Sequence, residues 1–264
     1  MKVDYIIVGL GLAGLAFIEE LIAAQKTFIV FEDDSQTSSL VAGGVYNPVI
    51  LKRYTPVWNA KEQLKIALPF YRSLEKKLSI KLDEKFVIKK AFKSVEDQNN
   101  WFLAIDKPKL SDYLNPVLDS QTYKGVVADF DFGNVNEAGR IDTKRLVESY
   151  RQYLNEKGLI LFQSFQYDLI NFKEGHLVYN HIITNRIVFC EGFGIVKNPF
   201  FNHLPLNEAK GELITIHAPE LEIDFLLKST LFVLPLGNNH YKVGATFNWT
   251  DKTSKPSKAA KEEL

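Results

Sequence analysis

The sequence predicts an α/β fold in which a parallel-sheet domain and an antiparallel-sheet domain are interleaved, each read in two pieces. The first observation is "VDYIIVGLGLAGLAFIEELIAAQKTFIVFE" (Val3 to Glu32), which reads as strand, glycine turn, helix, strand and a closing acid. The second is a change of texture from about Asp83 to Phe132. There, short aromatic and β-branched runs such as "KFVIKKAF" and "KGVVADFDF" are bounded by Asp, Asn, Pro and Gly, as in an antiparallel sheet. The third is that both textures recur: helix and buried strand from Gly139 to Cys190, and alternating strands beyond Asn198. The expected division is 1–82 and 139–200 for the first domain and 83–138 and 201–250 for the second, with 251–264 a tail or the start of a truncated helix.

Tyr5 to Val8 is a continuous apolar run, as expected of a parallel strand covered on both faces. Leu12, Leu15, Ala16, Phe17, Leu21 and Ile22 follow at helical spacing, and Thr27 to Phe31 is a second buried strand. "DDSQTSSLVAGGVYNPV" has no sustained period and reads as a long loop, and an amphipathic helix runs from about Asn59 to Leu78. After the inserted sheet, "GRIDTKRLVESYRQYLNEKG" is a helix with Asp142 or Thr143 as N-cap and Gly158 placed to end it. Strands near Leu159 to Phe162 and Arg186 to Cys190 complete the first domain, and "GELITIH", "STLFVLPL" and "HYKVGATFNW" are strands of the second. In "SKPSKAAKEEL" helix formers follow Pro256, but the sequence ends about two turns later. That is short of the ~12 to 15 residues at which an isolated helix becomes marginal, so a truncated sequence is expected.

The composition sets limits on function. With 264 residues, 46% of them hydrophobic, the chain can fill a sizeable core. Its 32 Lys and Arg balance its 32 Asp and Glu, so no overall field draws it to nucleic acid or to an anionic bilayer. No run approaches the ~18 uninterrupted apolar residues of a membrane span. A single cysteine, Cys190, excludes an internal disulfide, and no leader-like segment precedes the first strand, so a cytoplasmic protein is expected.

In "GLGLAG" each glycine has a separate task. Gly9 makes the tight turn, Gly11 lets backbone approach a pyrophosphate, and Gly14 lets helix and strand pack closely. The helix N-terminus adds N–H groups and partial positive charge. Glu32 lies eighteen positions after Gly14, near the roughly 20-residue interval at which a carboxylate accepts hydrogen bonds from an adenosine ribose, and it disfavours a 2′-phosphate. The unit is a dinucleotide cradle for either FAD or NAD.

The loop "SSLVAGGVYNPV" resembles the Ser-rich, Ala-Gly-Gly loop of the FAD-dependent D-amino-acid oxidase and glycine oxidase family. "GRIDTKRL", "GLILFQSFQYDLI", "IVFCEGFG", "KGELITI" and "LFVLPLGNNHYKVGATF" resemble further family segments in family order, so the resemblance covers nearly the whole chain. It implies FAD as cofactor and a Rossmann-like FAD-binding domain of the glutathione-reductase type beside an antiparallel substrate domain. The C-terminal part of the FAD domain, with the family's glycine, arginine and proline motif, is expected to be missing.

Carried over position by position, Gly9, Gly11 and Gly14 hold the pyrophosphate and Glu32 the ribose. Ser38, Ser39, Ala42, Gly43 and Gly44 line the phosphate and flavin side, and Tyr167 and Gly192 offer main-chain contacts. The chain departs from the family at Phe232, where relatives often carry tyrosine or another polar group, and at Leu236, where arginine often follows the proline.

The implied activity is oxidation of a C–N bond of a small amine or amino acid by hydride transfer to flavin, with dioxygen or another acceptor closing the cycle. Two alternatives are the flavin-dependent oxidase that removes a carboxymethyl group from tRNA wobble uridines and a non-catalytic FAD-binding fragment. Neutral net charge disfavours the RNA-bound one. Candidate substrate residues are Arg53 in "LKRY", Phe232, Tyr241 and Thr246; alternation sends Tyr241 to one strand face and His240, Lys242 and Thr246 to the other. No acid/base constellation marks a catalytic residue. The scattered His176, His181, His203 and His217 lack metal-ligand spacing, and Cys190 in its apolar strand reads as a small hydrophobe.

Overall fold

The computed structural model describes residues 1–264. In chain order the elements begin with β1 (Lys2–Val8), α1 (Leu12–Ala23), β2 (Phe28–Glu32), α2 (Ser38–Val41), β3 (Val45–Tyr46), β4 (Val49–Ile50), β5 (Thr55–Pro56) and α3 (Ala60–Leu78). There follow β6 (Asp83–Ala91), α4 (Val95–Ile105), β7 (Phe132–Ile141), α5 (Thr143–Glu156), β8 (Ile160–Phe162), β9 (Ile170–Lys173), β10 (His176–Tyr179) and β11 (Ile182–Phe189). The chain ends with β12 (Leu213–His217), β13 (Leu226–Lys228), β14 (Phe232–Gly237), β15 (His240–Gly244) and α6 (Lys258–Glu263). No helix is long and apolar enough to cross a membrane.

The chain forms two compact units. Unit 1 is Met1–Ala42, Leu78–Ile80 and Asp142–Asn207, and unit 2 is Gly43–Lys77, Lys81–Ile141 and Glu208–Leu264. Both are discontinuous. The segment after Ala42, with its helix α3, belongs to unit 2 rather than to the first domain, because β3 pairs with β7 at Val45↔Arg140 and Tyr46↔Gly139.

Unit 1 is built on a six-stranded sheet of order β8-β2-β1-β11-β10-β9. Its first four strands are parallel, and β10 and β9 extend it as antiparallel neighbours. Ile6 and Ile7 are both fully buried although they point to opposite faces, as a sheet covered on both sides requires. One core cluster joins Val3, Ile6, Val8, Ile29 and Phe31 with Tyr179, whose ring stacks on Phe165 at 4.3 Å. Buried Leu15 and Ile18 of α1 and Leu146, Val147 and Tyr150 of α5 recur at helical spacing. Asp142 caps α5 by accepting from the Arg145 N–H at 3.0 Å, and Gly158 follows the helix at φ +66°.

Unit 2 holds a seven-stranded sheet of order β12-β15-β14-β13-β6-β7-β3, antiparallel throughout except for the β13–β6 pair. The β14–β15 turn places Asn238 and Asn239 at φ +51° and +57°, the left-handed pair that tight hairpins need. Leu226, Leu234, Ile88 and Val135 face one core together with Trp101, and Phe225, Ile223 and Tyr241 form a core with Val233 and Leu227.

Two stretches of the expected insertion differ from an all-strand reading. Val95–Ile105 is a helix: Ser94 caps it by accepting from the Asp97 N–H, and Trp101 and Ala104, three positions apart, are buried. "KGVVADFDF" is strand only from Phe132, and Val127 is almost fully exposed. Its β-branched residues have strand propensity, but the backbone there is taken up in a turn, the Val126 N–H donating to the Tyr123 carbonyl.

Residues 251–264 are held by side chains as well as by the single short helix α6. Glu212 accepts from the Ser257 N–H at 2.6 Å and from its hydroxyl at 2.8 Å, while Lys210 donates to Asp251 at 2.6 Å. The Lys210 ammonium and then the Thr253 N–H and hydroxyl hold the Asp251 carboxyl down at about 2. Its folded value is depressed, so its share of this anchor is complete above the ordinary carboxylate range and is lost as pH falls toward about 2. Hydrogen exchange in residues 251–264 should therefore accelerate selectively as pH is lowered through that window, after correction for intrinsic rates. A second expectation concerns Gly133, where a Cβ would lie 2.7 Å from both Phe92 and Trp101. Gly133→Ala should cost about 1–3 kcal/mol by overpacking, measured by urea denaturation.

Candidate functional site

The turn joining β1 to α1 is made of backbone set against backbone. Gly9 has φ +92°, and a Cβ there would lie 2.5 Å from the Cys190 carbonyl oxygen at the end of β11. A Cβ on Gly14 would lie 2.3 Å from the Gly9 carbonyl oxygen. Both glycines are thus demanded by the fold itself. Gly11 is different: a Cβ there would meet only the Ser39 hydroxyl oxygen, at 3.3 Å, so the chain's own packing tolerates a small shift in its place.

Glu32 ends β2 with its side chain only 5% exposed. One carboxylate oxygen, Oε2, accepts from the Leu10 N–H within the glycine turn. The other, Oε1, accepts from the Asp34 N–H and from Arg151 Nη2, both at 3.0 Å. Arg151 projects from α5 and also pairs with Asp34, while its Nε is buried without a partner. An ionised carboxylate has about four acceptor positions, so roughly one, on Oε2, remains for a ligand hydroxyl.

Ser38 and Ser39 lie in the single turn of α2, Ser38 exposed and Ser39 half-buried, and Ala42 follows as its C-cap. Asp33, beside Glu32, accepts from the Ser35 N–H and, at 2.8 Å, from the Ser164 hydroxyl. Burial alone would raise its carboxyl, but those two residues outweigh it and hold the carboxyl low. Tyr167 opens a short 3-10 turn and donates its hydroxyl to Glu191. Burial first, then that carboxylate, push its phenol far above the ordinary range. Glu191 also accepts from Asn198 Nδ2 at 2.7 Å. Gly192 stands at φ +53° with open space where a Cβ would be. Burial, then Glu191, raise the half-buried Cys190 thiol, which keeps it protonated rather than nucleophilic.

In unit 2, Gly43 would place a Cβ in ordinary contact with Leu234 at 3.5 Å and Phe232 at 3.8 Å, so the sheet does not require a glycine there. Gly44 has φ +67°, and its carbonyl accepts from the Ile141 N–H. Phe232 packs on the core that contains Leu226 and Leu234. Arg53 is exposed in the turn between β4 and β5, where its N–H closes on the Ile50 carbonyl. Tyr241 lies in the core on the opposite face and donates its hydroxyl to the Leu221 carbonyl. Thr246 is buried beyond the end of β15, its hydroxyl accepting from the Glu212 N–H at 3.1 Å. The polar atoms of these last two residues are committed within unit 2. No cluster of three or more His, Cys, Asp or Glu is arranged to hold a metal ion.

Sequence reasoning reaches the glycines and Glu32 because their spacing is local. It misses Arg151, which stands beside Tyr150 on α5 and differs in no local way from a solvated helix arginine, and it misses the Tyr167–Glu191–Asn198 chain of hydrogen bonds.

The residues present fit FAD. Gly9 and Gly14 are explained by the fold, whereas Gly11 is bare where the chain itself does not demand it, as close approach of a ligand requires. Glu32 keeps about one acceptor position beside the turn, as a ligand hydroxyl would need.

Comparison with solved structures shows where this fold recurs. Glycine oxidase from Geobacillus kaustophilus superposes with a TM-score of 0.74 at 16% identity, over 100% of this chain and 76% of its own. Glycine oxidase from Bacillus cereus gives 0.73 at 14%, again over 100% and 76%. Iminodiacetate oxidase from Chelativorans sp. BNC1 gives 0.74 at 11%, over 98% and 76%. At these identities the likeness establishes the fold. Residues 4–264 match the family described as FAD dependent oxidoreductase, DAO. The chain therefore belongs to the DAO family of FAD-dependent oxidoreductases.

Proposed function

We propose that the protein oxidises a C–N bond of a small amine or amino acid. The observation that carries this reading is the bare-backbone cradle at Gly9, Gly11 and Gly14 closed by Glu32, in a chain whose whole length shares its fold with glycine and iminodiacetate oxidases. When bound, FAD supplies the redox chemistry, taking a hydride from the carbon next to the amine. Hydrolysis of the resulting imine by water needs no dedicated acid/base pair.

The protein's part is binding and orientation. Gly11 and the α1 N-terminus offer backbone N–H groups to the diphosphate, and the Ser38 and Ser39 hydroxyls add to them. Glu32 takes a ribose hydroxyl on Oε2, and Ala42, Gly43, Gly44, Tyr167 and Gly192 offer main-chain approach. Phe232 presents an apolar surface to the substrate, and Arg53 an exposed cation. Dioxygen is the proposed electron acceptor. The lone unpaired Cys190 suits a reducing compartment, the cytoplasm.

The full-length protein should purify with a flavin absorbance spectrum that bleaches under anaerobic titration with glycine, sarcosine or a D-amino acid. A flavin spectrum unchanged by every one of them overturns the proposal. Two substitutions separate cofactor binding from folding. Gly11→Ala should weaken FAD binding severalfold while changing the stability of the apoprotein by no more than about 1 kcal/mol. Gly14→Ala, which drives a Cβ into the Gly9 carbonyl, should lower apoprotein stability itself. Fluorescence titration with FAD and urea denaturation report the two effects.

A further inference from the structure

β12 is the edge strand of the unit 2 sheet and pairs with β15 alone. At the end of that pair stand two histidines, His217 on β12 and His240 on β15, which are register partners. The Ala218 N–H donates to the Asn239 carbonyl at 2.9 Å, so residues 218 and 239 are the hydrogen-bonded pair and 217 and 240 the non-hydrogen-bonded pair beside it. Opposed side chains come closest at such positions. The two imidazole rings lie 4.9 Å apart, centroid to centroid, and both residues are exposed.

The hairpin turn fixes what His240 can offer. Its Nδ1 lies 2.8 Å from the Asn238 carbonyl oxygen. A carbonyl only accepts, so Nδ1 carries the proton and Nε2 keeps its lone pair for a ligand. A hydrogen bond from the far ring nitrogen to a backbone carbonyl is how proteins orient imidazoles that bind metal. His217 is exposed, and its ring can turn to meet the same ion. With metal–nitrogen bonds of about 2.0–2.1 Å and a ring radius of about 1.2 Å, two imidazoles about 90–110° apart around one ion have centroids roughly 4.5–5.3 Å apart. The rings already stand within that range. Gly237, the partner of His240 on β14, has open space where a Cβ would be, so water can fill the remaining coordination positions.

We propose that His217 and His240 chelate one divalent ion of the Ni²⁺, Cu²⁺ and Zn²⁺ class, and that this ion clamps the edge strand β12 to the sheet. Imidazole nitrogen suits these ions, whereas Mg²⁺ and Ca²⁺ call for oxygen ligands. The next side chain on this face of β15 is Lys242, whose positive charge disfavours a cation held by charge alone. The spacing of the two histidines along the chain carries no metal-ligand pattern, and strand register supplies the juxtaposition. An ion held by both strands is released when they separate, so it stabilises their pairing by mass action. The site stands apart from the proposed oxidation and does not depend on it.

The test is calorimetric titration of untagged, full-length, FAD-loaded protein with Ni²⁺ and Zn²⁺ at neutral pH, with Mg²⁺ as competitor. Ni²⁺ and Zn²⁺ should bind saturably, His217→Gln and His240→Gln should each weaken that binding about tenfold or more, and Mg²⁺ should not compete. With Cu²⁺ as probe, electron paramagnetic resonance should show two coordinated imidazole nitrogens in the parent protein and one in either variant. With free Zn²⁺ at about ten times its Kd, amide exchange in β12 should slow about tenfold in the parent and stay unchanged in either variant. Absence of saturable binding, undiminished binding by either variant, displacement by Mg²⁺ or a Cu²⁺ spectrum without two imidazoles overturns the chelate. Exchange in β12 that Zn²⁺ fails to slow overturns the clamp. Both histidines are exposed, so the variants should keep the metal-free urea midpoint of the parent, and the parent's own Cu²⁺ spectrum decides the ligation without them.

Discussion

Unit 1 depends on a contact between main chains that no side chain can enter. The carbonyl of Cys190 stands where a Cβ of Gly9 would be, and the carbonyl of Gly9 stands where a Cβ of Gly14 would be. These two approaches bring the end of β11 against the turn and set the start of α1 close behind it. The N–H groups at the head of α1 are thereby presented at the edge of a parallel sheet. A loop fixed by side chains would fluctuate more and would hold those donors farther from a diphosphate.

Glu32 joins three pieces of this arrangement. Its carboxylate accepts from Leu10 in the turn, from Asp34 in the following loop, and from Arg151 on α5. A buried carboxylate is stable only when its acceptor positions are filled, and here the protein fills most of them and leaves one. The carboxylate is therefore held in place by the chain itself, which lowers the ordering cost of any ligand contact it makes. Arg151 contributes by neutralising the charge, a role that a carboxylate facing solvent would not need.

Unit 2 distributes its polar groups differently. Tyr241 and Thr246 turn their hydroxyls to backbone partners inside the unit, and Lys90, Tyr54 and Asp97 close a satisfied network. Lys93 and Lys228 meet only neutral partners, the hydroxyl and the carbonyl of Thr230, and Asn134 Oδ1 is buried without one. Satisfied networks fix the fold.

Much of this was determined by sequence alone. The β1–α1–β2 unit with its glycine turn and the capping of α5 by Asp142 follow from patterns within a few residues, where φ/ψ preference and periodicity act. The tertiary structure decided the rest. It turned Val95–Ile105 into a helix by burying Trp101, folded "KGVVAD" into a turn outside the sheet, and placed the segment after Ala42 in unit 2 through the pairing of β3 with β7. It also joined Arg151 to Glu32 across 119 positions and brought Lys93 to Thr230 across 137. Such partners are set by which elements pack together, and a side chain's own sequence neighbourhood carries no record of what will stand opposite it.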